Sequence, residues 1–103
     1  MVIDAKEGKR LMDELGQKLF ILDVRHAFEF NNGHIPNAVL IDNDEISSTE
    51  KHPALPEDLE RPILIYCRSG VRSNYAMRKL QALGYKTVYD MGGILSWPYE
   101  IVR

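Results

Sequence analysis

The feature that most constrains this chain is the apolar run Ile63-Leu64-Ile65-Tyr66, which stops at the only cysteine, Cys67, and continues as Arg68-Ser69-Gly70-Val71-Arg72-Ser73. Consecutive apolar residues of this kind are the pattern of a strand covered on both faces. Pro62 suits the start of such a strand, where a missing N–H is harmless. Beyond the loop, Ala76, Met77, Leu80 and Leu83 recur at helical spacing, which predicts a helix from about Ser73 to just before Gly84, a fitting C′ residue. Strand, tight loop and helix in that order put Cys67 at the carboxyl end of a strand, facing a helix N-terminus.

That location favours an anion, because the N–H groups of a tight loop and of the first helical turn point inward. Arg68 and Arg72 add two permanent positive charges. Each contribution favours the thiolate of Cys67 over the thiol, and the thiolate is the nucleophile. A cysteine that merely fills core space is the plain alternative, but two arginines, a serine and a glycine are poor surroundings for that role.

A chain of 103 residues with 45% hydrophobic and 27% charged residues is expected to form one domain, residues 1–103, with a core that needs no disulfide. The formal net charge of −2 gives no support to nucleic acid as a partner. No apolar stretch approaches the roughly 18 to 20 residues of a membrane helix. Met1-Val2-Ile3-Asp4 runs into Lys6, Glu7, Lys9 and Arg10 with no secretory apolar core, so the cytoplasm is the expected compartment. His26, His34 and His52 are scattered and share one cysteine between them, which does not make a metal site, and no cofactor is expected.

From the N-terminus, Asp4 and Glu7 have the spacing of a capping box, and Leu11, Met12 and Leu15 give a following helix its apolar stripe before Gly16. Leu19–Leu22 predicts a second doubly covered strand, and Ala38–Ile41 predicts a further short strand. Arg25 and Glu29 are spaced for an i,i+4 ion pair on a short helix. Asp23, at a strand's carboxyl end, serves either as support for the loop or as plain turn chemistry. His34, in a turn-rich stretch, has no fixed spacing to Cys67 that would make it a general base. Between Asp42 and Glu60, two prolines and sparse apolar residues predict a short helix plus an irregular crossover, with Asp42, Asp44, Glu45, Glu50, Glu57 and Asp58 on a solvated face. Tyr85–Tyr89 predicts the last strand, ending at Asp90, with Met91-Gly92-Gly93 as a turn and Trp97 as a core anchor. Apolar strands alternating with helical segments give an α/β fold: a parallel sheet of four to five strands with helices on both faces.

The segment Tyr66-Cys67-Arg68-Ser69-Gly70-Val71-Arg72-Ser73 resembles the active-site loop of the rhodanese family of single-domain sulfurtransferases. Leu22-Asp23-Val24-Arg25 with Glu29-Phe30 and Gly33-His34-Ile35-Pro36-Asn37-Ala38 resembles the family's first signature, and Met91-Gly92-Gly93-Ile94 with Trp97 its closing one. The resemblance implies the rhodanese-like three-layer fold, a structural hydrogen-bonding role for His34, and Asp23 and Arg25 as supporting residues. It also implies sulfur transfer through a persulfide on Cys67. An anionic donor such as thiosulfate would be held by Arg68 or Arg72, with the backbone from Ser69 through Gly70, Val71 and Arg72 to Ser73 stabilising the persulfide.

With no second cysteine, the persulfide would pass to an external acceptor: cyanide, a small thiol or a protein cysteine. Two other readings fit less well. Phosphatase or arsenate-reductase chemistry also uses a cysteine in an N–H cradle, and a rhodanese-like module could serve binding alone, although a scaffold has no physical need of the cysteine and both arginines.

Overall fold

In a computed structural model that describes all 103 residues, seven principal elements follow one another: α1 (Ala5–Leu15), β1 (Phe20–Asp23), α2 (Ala27–Asn31), β2 (Val39–Leu40), β3 (Ile63–Cys67), α3 (Val71–Ala82) and β4 (Val88–Gly93). The strands form one sheet in the order β2-β1-β3-β4, and every pairing is parallel. The fold is α/β with four parallel strands, as the alternation of apolar runs predicts. No helix is long and apolar enough to cross a membrane.

Every residue of β3 is buried, and the period-2 alternation of side chains divides them between two cores. Ile63, Ile65 and Cys67 join Phe20, Leu22 and Val88 under α3, where Ala76, Met77 and Leu80 complete the layer. Leu64 and Tyr66 go to the opposite face with Ile21, Leu11 of α1, Ile35 and Met91. Two layers of side chains, one on each side of the sheet, explain why β1 and β3 read as continuous apolar runs. The same alternation sends the Cys67 side chain towards α3, not α1.

The helix termini follow the sequence signals closely. Asp4 caps α1, accepting a hydrogen bond from the Glu7 N–H at 2.8 Å. The reciprocal half of a capping box does not form, because the Glu7 carboxylate is taken by Arg10 instead. Helix α3 begins at Val71, two residues before the predicted start, and ends where expected. Its end is closed twice: the Gly84 N–H donates to Gln81 O at 3.1 Å and the Tyr85 N–H to Leu80 O at 3.2 Å. That pattern needs a left-handed residue at C′, and Gly84 adopts φ 104° there.

This closure also explains why the last strand starts late. Tyr85 is spent on ending α3, and its buried ring sends the hydroxyl to Pro56 O at 2.5 Å, so β4 begins only at Val88. At its other end β4 does not turn at Met91 but runs on to Gly93. The register slips between Ile65 and Cys67 so that Gly93 comes to lie opposite Cys67. A glycine is required, since a Cβ at position 93 would sit 2.1 Å from Arg68 O and 2.7 Å from Ser69 Cα.

Two further expectations are revised. Between Asp42 and Glu60 no full helix forms; a single 3-10 turn, Asn43–Glu45, is followed by irregular chain that pins Ile46 and Leu55 into the core. With Pro53 and Pro56 in the segment and few apolar residues at helical spacing, nothing sustains a longer helix. Asp42 leaves the solvated face expected of it and pairs with His26 Nδ1 at 2.6 Å, whereas Asp44, Glu45, Glu50, Glu57 and Asp58 are exposed. Trp97 is half-buried against the α1-side core, with its Nε1–H donating to Glu100 O at 3.0 Å.

Because the Gly93 contact is backbone against backbone, it cannot be relieved by a side-chain rotation. Gly93→Ala should lower the urea midpoint by an amount equivalent to about 1–3 kcal/mol, whereas alanine at the exposed Gly16, whose added Cβ meets nothing within 4 Å, pays only its local backbone strain.

Candidate active site

Parallel pairing places the carboxyl ends of β1 and β3 side by side, with Asp23 opposite Tyr66, and the loop from Cys67 to Gly70 leaves this edge directly into α3. Such an edge is where open α/β sheets build their sites. Cys67 is 1% exposed. Its Sγ accepts a hydrogen bond from the Gly70 N–H at 2.9 Å and lies 3.5 Å from Ser73 Oγ. Ser73 Oγ in turn donates to Gly70 O at 3.1 Å, so one buried hydroxyl ties the sulfur to the backbone that cradles it.

The first hydrogen bond of α3 is Asn74 N–H to Gly70 O, 3.3 Å. The N–H groups of Val71, Arg72 and Ser73 therefore precede the helix ladder and have no partner within it. They gather at the same end of α3 as the sulfur. This is the arrangement of N–H groups that stabilises an anion at a helix N-terminus.

The two arginines of the loop, equivalent in the sequence, are not equivalent in the structure. Arg72 forms a two-pronged ion pair with Glu29 of α2, Nη1 to Oε1 at 2.6 Å and Nη2 to Oε2 at 3.0 Å. The Glu29 Oε1 also accepts the His26 N–H at 3.0 Å, so one carboxylate caps α2 and holds Arg72. The Arg72 fork holds the Glu29 carboxyl down at about 2. The hydrogen bonds to Glu29 raise the Arg72 guanidinium in return, against the opposing effect of burial. Arg68 is exposed, and its side chain makes no hydrogen bond or ion pair; only its carbonyl is engaged, by the Leu95 N–H at 3.3 Å.

Pairing of Glu29 with Arg72 corrects the expected i,i+4 pair with Arg25. Arg25 is buried and turns the other way, gripping Asp23 through Nε at 3.0 Å and Nη2 at 2.7 Å while donating to Gly33 O at 2.7 Å. The clamp ties the end of β1 to the turn before β2. Beside it, the buried Tyr66 hydroxyl accepts the Ile35 N–H at 3.0 Å, and burial raises the phenol above its ordinary range. Asp23 and Arg25 thus bond to each other and to the 30s turn, without a hydrogen bond to the cysteine loop. His34 stacks on Phe30 with centroids 3.7 Å apart and meets Phe30 O through Nδ1 at 3.0 Å, which occupies it structurally.

The largest cavity, roughly 650 Å³, lies elsewhere, between Met12, Leu19, Ile21, Ile35, Trp97 and Tyr99, and no residue of the cysteine loop lines it. One participant was not foreseen from the sequence, Glu29. Nothing local links it to Arg72, 43 residues on, whereas the closing signature with its glycine pair at 92–93 implies an approach to the cysteine loop, which Gly93 makes.

The Glu29–Arg72 pair makes stability depend on acid. The carboxyl titrates near 2 when folded and near 4.5 ordinarily, so the unfolded chain takes up the proton first as pH falls. The pair's contribution is complete above about pH 4.5 and lost progressively towards pH 2. Urea unfolding of Glu29→Gln should therefore show a smaller loss of stability between pH 5 and pH 2 than the parent chain, and parallel curves would refute the assignment.

Comparison with known proteins agrees with this geometry. The family model of the rhodanese-like domain matches residues 4–99. Over 87 residues the chain is 39% identical to a probable adenylyltransferase/sulfurtransferase, MoeZ, of Mycobacterium tuberculosis, covering 84% of this chain but only 22% of that protein. It is 38% identical over 87 residues to the putative sulfurtransferase YtwF of Bacillus subtilis, covering 84% of this chain and 81% of that one. A rhodanese-related protein from Thermoplasma volcanium superposes with a TM-score of 0.77 at 33% identity, over 98% of this chain and 96% of the other. The cysteine loop, the order of the sheet and these similarities lead to one conclusion: the chain belongs to the rhodanese-like family, whose members include sulfurtransferases.

Proposed function

We propose that the protein is a sulfurtransferase that carries sulfur as a persulfide on Cys67. The observation that carries this reading is the Cys67 sulfur seated at the N-terminus of α3 with the Gly70 N–H directed at it from 2.9 Å. In the first half-reaction the Cys67 thiolate attacks the outer sulfur of thiosulfate, the S–S bond of the donor breaks, and sulfite leaves with the bonding pair. In the second, an acceptor nucleophile takes the outer sulfur and Cys67 departs as thiolate. With cyanide as acceptor the product is thiocyanate. Sulfur moves between nucleophiles in both steps.

The division of the arginines supports distinct roles. Arg72, fixed by Glu29, contributes a stationary charge beside the sulfur. Arg68, exposed and unpaired, meets the sulfonate end of the donor through its planar fork. Val71, Arg72 and Ser73 offer N–H groups to the terminal sulfur of the persulfide, and the Ser73 hydroxyl is free to turn from Gly70 O towards the sulfur once it is charged. Asp23 and Arg25 act on none of these atoms and hold the edge of the sheet in place.

Loop length argues for sulfur over phosphate. From Cys67 through Arg72 is six residues, one fewer than the cysteine-to-arginine loop characteristic of rhodanese-like phosphatases and tyrosine phosphatases. A shorter loop makes a narrower ring of N–H groups, suited to one outer sulfur and not to the three oxygens of a phosphoryl group.

Incubation with thiosulfate should add one sulfur atom to the protein by intact mass and, on addition of cyanide, release thiocyanate. Cys67→Ser should do neither while remaining folded, and an adduct that persists in that variant would sink the assignment. Hydrolysis of an aryl phosphate should be negligible on the same preparation; efficient hydrolysis without sulfur transfer would show the phosphatase reading to be the right one. Arg68→Ala should raise the KM for thiosulfate about tenfold or more, the loss of a charge-assisted hydrogen bond, with the cyanide step little changed. An unaltered KM would place donor binding elsewhere.

A further inference from the structure

The N-terminal Met1 and Val2 aside, the most exposed large apolar side chains of the protein are Phe28 at 67%, Leu95 at 66%, Val71 at 63% and Tyr75 at 57%. They come from three separate segments, yet all adjoin the cysteine loop. Val71 is the first residue after the glycine whose N–H meets Cys67, and Tyr75 stands one turn further along the same face of α3. Leu95 is held there by its N–H on Arg68 O, 3.3 Å. Phe28 precedes Glu29, whose carboxylate grips Arg72.

A small anionic donor has no use for this surface. Arg68 and the loop N–H groups supply what thiosulfate requires, and exposed apolar side chains around a mouth of that kind cost solubility without binding an anion. Clustered exposed apolar residues mark a surface that another molecule covers. The charges beside them define its character. Arg68 and Arg78 are exposed and neither forms an ion pair, whereas Glu29 is taken by Arg72 and Asp42 is hydrogen-bonded with His26 Nδ1. Two unpaired guanidinium groups thus flank the rim on a chain whose net charge is −2. Four such side chains offer on the order of 500 Å², the size of one side of a weak, transient protein contact and too little for a stable dimer.

We infer that the apolar rim of Phe28, Val71, Tyr75 and Leu95, with Arg68 at its edge, docks an acidic segment of a partner protein that carries the acceptor cysteine. This rests on the sulfurtransferase reading above and names the acceptor of that same site. The partner's thiolate attacks the outer sulfur of the Cys67 persulfide, becomes a persulfide itself, and releases Cys67 as thiolate. The outer sulfur lies about 2 Å beyond Sγ, which brings it from a buried position towards a chain laid across the rim.

The test uses the whole protein and the triple variant Phe28→Ser, Tyr75→Ser, Leu95→Ser, with residues of the loop itself untouched. The probes are a short peptide with a single cysteine between leucine and phenylalanine flanked by aspartates, its counterpart with lysines for aspartates, and dithiothreitol as a small thiol. The acidic peptide should take sulfur from the persulfide with a kcat/KM about tenfold or more above that of the lysine peptide, a preference that falls with added salt. The triple variant should lose about tenfold with that peptide while its transfer from thiosulfate to cyanide stays within a factor of two.

Binding of the same peptide with serine for cysteine, followed by NMR shift changes at Phe28, Tyr75 and Leu95, tests docking apart from chemistry. Docking without sulfur transfer would refute the proposed function and retain the surface. Equal rates for acidic peptide, lysine peptide and dithiothreitol, or no shift changes at the rim, would overturn the inference, as would a dimer of the parent chain that the triple variant abolishes.

Discussion

Complete burial of β3, with hydrogen-bonded neighbours on both edges and side chains driven into both cores, is the constraint on which the rest of the structure depends. A strand covered on both faces has no freedom to slip by one residue, since a slip would exchange every side chain between the two layers. Leu64 and Tyr66 must face α1, and Ile63, Ile65 and Cys67 must face α3. The position of the sulfur is thus set by hydrophobic burial before any polar contact is made. The N-terminus of α3 then meets it because the loop between them is too short to do otherwise.

Around this frame the charged and polar side chains beside the loop are tied to specific partners. Arg25 is held by Asp23 and Gly33 O, Arg72 by Glu29, and His26 by Asp42. No buried side-chain nitrogen or oxygen is left without a hydrogen bond, which matters because an unpaired buried group costs on the order of 1–3 kcal/mol. The distribution also separates functions. A cation locked to a carboxylate provides a fixed field, and a free one at the mouth can exchange water for a ligand. Backbone packing of Gly93 on Arg68 O completes the arrangement by bringing β4 and the segment after it against the loop, which is how Leu95 reaches the rim.

Much of this was legible in the residue pattern. Doubly covered strands, the helix after Cys67 and its end at Gly84 follow from periodicity and turn chemistry, which act between residues close in the chain. The place of Cys67 between strand and helix follows from those elements alone, and the six-residue span to Arg72 can be counted. The least readable part, from Asp42 to Glu60, is where neither period is sustained, and it folds only by pinning Ile46 and Leu55 into a core that other segments build.

What the chain by itself determined, then, is the strand-loop-helix unit, the parallel α/β architecture and the place of the lone cysteine between strand and helix, because each is written in local spacing. Tertiary structure alone decided which charges pair and which side chains share a surface. Arg25 has an acid two residues before it and another four after, and local rules do not rank them; desolvation beside Tyr66 and the carbonyl of Gly33 selects Asp23. Glu29 is thereby released to Arg72, 43 residues away, and Arg68 is left free. Phe28, Val71, Tyr75 and Leu95 are unremarkable singly, and they become one rim only because α2, α3 and the end of β4 converge on the same loop. Proximity across the sheet, not along the chain, sets electrostatic and apolar contacts of this kind, since both depend on distance and on the exclusion of water.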